Sequence, residues 1–164
     1  MVTEINVVSK PEAGFWMRKA YRIPLGKYPE TARFTSQEYP GENNTPITEM
    51  VVNSLITNIQ EGQHFKQGHT LEVKGVAWDS GKGINLVEVS TDGGSTWKAA
   101  DLGRDYGKFS FRQWSFKFKP AGKGKHSIMA KASNSAGETQ VFELIWNGAG
   151  YHNNVVQKIN VVVA

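Results

Sequence analysis

Phe109-Ser-Phe-Arg-Gln-Trp-Ser-Phe-Lys-Phe118 alternates large aromatic residues with polar and charged ones. In a strand, successive side chains point to opposite faces. Trp114, Phe116 and Phe118 therefore share one face, with charge on the other. No helix puts such a pattern on one side, so the stretch reads as a half-buried strand.

The same period runs outward in both directions. Upstream, Thr70-Leu-Glu-Val-Lys-Gly-Val-Ala-Trp78 places Leu71, Val73 and, after a slip at Gly75, Val76 or Trp78 on one face. Ile84-Asn-Leu-Val-Glu-Val-Ser90 sets Leu86 and Val87 on either side of a sheet. Further short strands are predicted at 49–57, 96–102, 126–132 and 155–163. Between them lie the turn-forming runs Asp79-Ser-Gly-Lys-Gly83, Asp92-Gly-Gly94, Pro120-Ala-Gly-Lys-Gly124 and Asn134-Ser-Ala-Gly137. About seven short strands without a long helical period predict an all-β, immunoglobulin-like β-sandwich rather than a parallel α/β sheet. With no cysteine in the chain, the disulfide of antibody domains is absent and the likeness is architectural.

Residues 1–46 read differently and are expected to form an extended N-terminal arm before a domain at 47–164. Ile5, Val7 and Val8 suggest a short strand, and Gly14-Phe-Trp-Met-Arg-Lys-Ala-Tyr-Arg-Ile-Pro24 interleaves aromatic and basic residues. Pro29, Pro40 and Pro46 then interrupt any helix or central strand.

Composition narrows the chemistry. The 164 residues suit one core plus an extension. Mean hydropathy is −0.43, and no apolar run approaches the roughly 18 residues of a membrane helix. The net charge of +4 comes from dispersed lysines and arginines, which reads as a solvated surface rather than a nucleic-acid face. Without cysteine there is no thiolate metal site and no thiol nucleophile. His64, His69, His126 and His152 lack the spacing of a helical zinc pair. No Gly-x-Ser-x-Gly elbow occurs, and Ser127 beside His126 faces the other side of its strand. Asn43-Asn-Thr45 fits a glycosylation sequon, a motif too short to carry weight.

Ser90-Thr-Asp-Gly-Gly-Ser-Thr-Trp97 is sharper, matching the Asp-box hairpins of sialidases. Asp92 can accept bonds from backbone N–H groups, Gly93 and Gly94 can take positive φ, and Trp97 can pack beneath them. The box occurs once here, so it reads as a hairpin brace and not as an active site.

An ordered series of motifs goes further. Gly75-Val-Ala-Trp-Asp-Ser-Gly-Lys-Gly-Ile84 is followed by Val87-Glu-Val-Ser-Thr-Asp-Gly-Gly-Ser-Thr-Trp97 and by Trp114. Lys131-Ala-Ser-Asn-Ser-Ala-Gly-Glu-Thr-Gln140 and Trp146-Asn-Gly-Ala-Gly-Tyr-His-Asn-Asn154 complete it. From about Thr45 onward the chain resembles the dimerisation domain of the sulfite oxidase family. Thr3-Glu-Ile-Asn-Val-Val8 and the stretch 14–24 resemble the end of that family's molybdopterin domain. The resemblance thus implies a chain that begins inside a larger architecture, as a fragment or a separate piece.

In that family a pterin dithiolene and one cysteine hold molybdenum, and electrons leave through a haem partner. This chain has no cysteine and lacks the cofactor-binding domain. The resemblance therefore implies a non-catalytic part that binds no cofactor of its own. It would pair as a homodimer or join a molybdopterin-domain chain, with a cytochrome c as acceptor for the assembly. A periplasmic location is implied in the same way.

The candidate residues facing that active site are Arg22, Trp146, Asn147, His152 and Asn154. Trp146 is expected to anchor its loop in the core. Asn147, Asn153 and Asn154 would fix its path through bonds to backbone, and Gly148 and Gly150 would permit tight turns. Phe15, Trp16 and Tyr151 are expected to be exposed on the same flank. Animal members carry arginine where Ala149 stands, and the Gly-Tyr-x-x-Asn continuation looks more like bacterial sulfite dehydrogenases, so substrate identity stays open. The competing reading is a free-standing immunoglobulin-like module for a carbohydrate or protein ligand, which would need an aromatic platform on a sandwich face.

Overall fold

A computed structural model describes residues 2–10, 14–24, 44–147 and 149–164. Pro29, Pro40, Asn43 of the sequon and Gly148 lie outside these. The chain divides into two compact units: Met1–Thr48 with Ile145–Asn153, and Glu49–Leu144 with Asn154–Ala164. A simple division at residue 46 does not contain this excursion, in which 145–153 leaves the second unit and joins the first.

The first unit holds a single helical turn, α1 (Phe15–Arg18), and two short strands, β1 (Arg22–Pro24) and β2 (Asn44–Pro46). β1 and β2 pair antiparallel, with Ile23 opposite Thr45. Residues 2–8 carry no ladder, so the strand expected at 5–8 does not form, and Ile5, Val7 and Val8 are exposed. A strand needs a partner for its backbone groups, and among the described residues these have none.

The second unit is the immunoglobulin-like sandwich. Its strands are β3 (Asn53–Ile56), β4 (His64–Phe65), β5 (Leu71–Trp78), β6 (Ile84–Ser90), β7 (Lys98–Ala99), β8 (Asp101–Leu102), β9 (Arg112–Phe118), β10 (Gly124–Asn134) and β11 (Gln157–Val163). One sheet runs β4-β11-β10-β6-β7 and the other β3-β5-β9-β8. All pairings are antiparallel except β4 with β11. The segment expected to be one strand at 96–102 is two: the chain leaves one sheet after Ala99 and enters the other at Asp101.

Alternation builds the core. Val87 and Val89 from β6, Ile128, Ala130 and Ala132 from β10, and Ile159 and Val161 from β11 face Val73, Ala77 and Trp114 of the opposite sheet. Each Val or Ile so buried stabilises by about 1.5–3 kcal/mol relative to exposure. Phe116 and Phe118 pack against this cluster, as the alternation of 109–118 requires.

The predicted slip at Gly75 does not occur. The ladder between β5 and β9 stays in register, Gly75 opposite Trp114, so Ala77 points inward while Val76 and Trp78 lie on the other face. The reason is steric. A Cβ on Gly75 would stand 2.2 Å from both the Trp114 ring and the Leu55 carbonyl. The indole fills the slot that a side chain at 75 would take, so the period breaks in the sequence but not in the strand.

Polar side chains finish the ends of the sandwich. Gln140, buried, accepts from the Ala132 N–H at 2.9 Å and donates to Asn53 Oδ1 at 2.9 Å. The Asp79 carboxylate accepts from the Gly81 and Lys82 N–H groups, each at 3.0 Å, and from Asn134 Nδ2 at 3.1 Å, which ties two turns together.

Candidate functional site

Four of the five candidate residues lie in the first unit and one in the second. Arg22 is buried, as is its neighbour Ile23 on the opposite face of β1. Its Nε donates to Asn44 Oδ1 at 2.6 Å and its Nη2 to the Asn44 carbonyl at 3.1 Å. Asn44 opposes Pro24 in the same ladder, so pairing of β1 with β2 fixes the guanidinium. The sequence offered no sign of this partner, because 19 residues lie between the two strands and register cannot be read across such a gap.

Asn147 closes its loop on itself. It is buried, donates from Nδ2 to the Tyr151 carbonyl at 2.7 Å and accepts from the Tyr151 N–H at 2.9 Å. Gly150 takes a φ of +69° within this clamp and donates to the Asn147 carbonyl at 3.1 Å. His152 follows at φ +57°. Trp146 does not anchor the loop in a core: it is 41% exposed. The clamp is polar, made by Asn147, and the loop needs no aromatic anchor.

Asn154 belongs to the second unit. Its Nδ2 donates to the Val52 carbonyl at 3.2 Å, and its own carbonyl receives the Val141 N–H at 3.4 Å. It locks the chain where it returns to the sandwich.

The first unit also joins the two stretches that the sequence had set together. The rings of Tyr21 and Tyr151 lie 5.7 Å apart, Trp16 and Tyr21 5.7 Å, and Phe15 and Trp16 5.0 Å. Phe15, Trp16 and Tyr21 are exposed, while Tyr151 is half-buried. Tyr21 holds φ +50°, and its carbonyl accepts from the Ile47 N–H at 2.8 Å. Among the described residues, Tyr21 and His152 are the only non-glycine residues at positive φ. Such strain costs about 1–2 kcal/mol per residue and gathers at functional sites.

The Asp-box hairpin is braced within the second unit. Asp92 accepts from Thr96 Oγ1 at 2.6 Å, from the Thr96 N–H at 2.9 Å and from Ser90 Oγ at 2.7 Å. These bonds, those of Thr96 foremost, hold the Asp92 carboxyl well below the usual carboxylate range. Gly93 and Gly94 sit at φ +74° and +99°, and Trp97 Nε1 donates to the Gly94 carbonyl at 3.0 Å.

Molybdenum or another metal would need donors. The chain has no cysteine, and among the described residues no three His, Asp or Glu side chains converge. These described residues do not fit a resident metal. Among the described residues, no helix is long and apolar enough to cross a membrane.

The family model of the Mo-co oxidoreductase dimerisation domain matches residues 44–164. Human mitochondrial sulfite oxidase is 31% identical over 171 residues, covering 97% of this chain and 30% of that protein. Sulfite oxidase of Arabidopsis thaliana is 28% identical, covering 91% of the chain and 39% of that protein. Among solved structures, the sulfane dehydrogenase SoxCD from Paracoccus pantotrophus shares the fold, with a TM-score of 0.55 and 24% identity over 66% of the chain and 29% of that chain. The chain spans less than two fifths of the length of these relatives. Because the match spans the whole sandwich, the chain belongs to the Mo-co oxidoreductase dimerisation domain family, as found in sulfite oxidases.

Proposed function

We propose that this chain is the non-catalytic supporting part of a sulfite-oxidase-type molybdenum oxidoreductase. The sandwich pairs protomers, and the first unit helps to close the active site of a cofactor-bearing domain. The observation that carries the reading is the family match over 44–164, extended by the human sulfite oxidase match over nearly the whole chain. Arg22, Trp146, Asn147 and His152 then face the cofactor side, and Asn154 holds the chain behind them. The fixed guanidinium of Arg22 supplies positive charge for an anionic substrate, while Ala149 adds none. A periplasmic compartment and a cytochrome c acceptor belong to the same proposal and rest on the resemblance alone.

The binding-module reading asks for an open aromatic platform. Trp97 and Phe142 do approach on one sheet face, with centroids 5.8 Å apart, but their planes stand at 67°. The Lys131 ammonium already lies over both rings, 4.6 Å from Trp97 and 5.8 Å from Phe142. A sugar would have to displace it, which favours the first reading.

The test is to purify the chain and measure its molybdenum content and sulfite-dependent reduction of cytochrome c. Neither is expected from the chain alone. One molybdenum per chain, or turnover by the chain alone, overturns the proposal.

A further inference from the structure

Lysines that lie apart in the sequence are gathered by the fold at one end of the sandwich. The stretch 117–126, from the end of β9 into β10, carries Lys117, Lys119, Lys123 and Lys125 and no acidic residue. Lys66 lies between β4 and β5, in a stretch 63–71 that also has no acidic residue. The ladders bring the two stretches together: Val163 of β11 pairs with Gly124 on one side and with Phe65 on the other. Neighbouring strands lie about 4.8 Å apart, so the backbones at Phe65 and Gly124 are about 10 Å apart. In the other sheet Phe118 pairs with Leu71 and sets Lys117 and Lys119 at the same end.

These connections are held in place. His126 Nε2 donates to the Gly122 carbonyl at 2.8 Å, and Gly124 turns the chain at φ +114°. The Gln67 N–H donates to the Ala164 carbonyl at 2.8 Å and the Ala164 N–H to the Phe65 carbonyl at 2.9 Å. All five lysines are exposed. Lys117 reaches Glu72 at 3.7 Å, but among the described residues Lys66, Lys119, Lys123 and Lys125 make no ion pair. The acids that border the two stretches are already engaged. Glu61 accepts from the Asn160 N–H at 2.8 Å and from its Nδ2 at 3.0 Å, and Glu72 pairs with Lys74 at 2.9 Å. Like charges gathered in this way repel one another and raise a positive potential over this end.

We infer that this end of the sandwich docks on a lipid surface carrying anionic headgroups. The inference stands apart from the supporting role proposed above. Charge sets the sign of the partner, and the make-up of the patch selects its kind. Protein interfaces centre on aromatic, methionine and arginine side chains and are depleted in lysine. Neither stretch contains arginine, and none of the exposed large apolar side chains among the described residues falls in them. Duplex DNA takes a helix or a strand ribbon into its groove, and single strands need aromatic platforms. This end offers turns, and the rings of Phe65 and Phe118 pack against the core. A headgroup layer asks only for positive charge on a blunt surface. Lysine meets it with a mobile, hydrated ammonium on a flexible stem. The contact is electrostatic, with no side chain entering the hydrocarbon.

Co-sedimentation of the full chain with vesicles tests the assignment. Phosphatidylcholine vesicles with about one third phosphatidylserine should retain the chain at low salt, and phosphatidylcholine alone should not. Salt at about 1 M, where the Debye length is about 3 Å, should release it. Each lysine near such a surface changes the partition coefficient about fivefold. Lys123→Gln should therefore lower it about fivefold, and joint replacement of Lys66, Lys119, Lys123 and Lys125 by Gln at least about 100-fold. Lys98→Gln and Lys108→Gln, at exposed lysines outside this end, should each leave it within about twofold. Failure of the anionic vesicles to bind, equal retention by the neutral ones, or equal losses from Lys98→Gln and Lys123→Gln overturns the assignment. Retention by immobilised polyglutamate or duplex DNA, with none by the vesicles, overturns it in favour of an acidic protein or a nucleic acid.

Discussion

The sandwich and the smaller unit are held by different physics. In the sandwich, valines, isoleucines and Trp114 alternate inward along paired strands, and apolar burial supplies the stability. In the first unit, a short ladder, an asparagine clamp and an arginine–asparagine contact fix the backbone. Both non-glycine residues at positive φ among the described residues fall there. The first arrangement tolerates change wherever volume is kept. The second depends on single polar groups, and it is where the candidate active-site residues cluster.

The largest effect that would break this comparison lies at the Gly75–Trp114 pair. Trp114→Ala should cost about 3–5 kcal/mol in urea unfolding. Gly75→Ala should cost about 3 kcal/mol, because backbone and indole both stand at 2.2 Å from the new Cβ. Trp114→Phe should cost less than Trp114→Ala, because it leaves the smaller cavity and the buried Nε1 that it removes has no hydrogen-bond partner among the described residues. Equal losses for the Phe and Ala variants would show that something other than volume holds the core.

A smaller effect is expected in the first unit. Asn147→Ala removes both bonds to Tyr151 and should cost about 1–2 kcal/mol locally. It should appear as faster amide exchange at Tyr151, with the urea midpoint of the sandwich unmoved. A shifted midpoint would mean that the clamp supports the core.

The smallest effect concerns the hairpin. The folded Asp92 carboxyl loses its proton more readily than it does in the unfolded chain, because Thr96 and Ser90 donate to it. Its contribution is therefore complete above about pH 4 and is lost progressively as the pH falls below that. Asp92→Asn should flatten this part of the stability curve. An unchanged acid slope in Asp92→Asn would contradict the assignment.

The sandwich was readable because alternation reports which side is buried. Trp114, Phe116 and Phe118 needed only the period of two, and Val87 and Leu86 separated as expected. Errors arose where a slot is filled from another strand. Gly75 looks like a slip in one dimension, but Trp114 occupies its space across the ladder. The crossing between sheets after Ala99 was equally hidden, since apolar spacing does not change there. In the first unit no periodicity exists to be read. The Asn147 clamp agrees with the expected asparagine-to-backbone bonding, whereas Trp146 lies partly in solvent rather than in a core. The Arg22–Asn44 contact depends on a ladder that composition does not announce.

The pairing proposed for this chain from its family is tested most directly by its native mass in solution. Sedimentation equilibrium over a wide concentration range should give twice the chain mass of 18.2 kDa. A mass of 18.2 kDa at every concentration would contradict it.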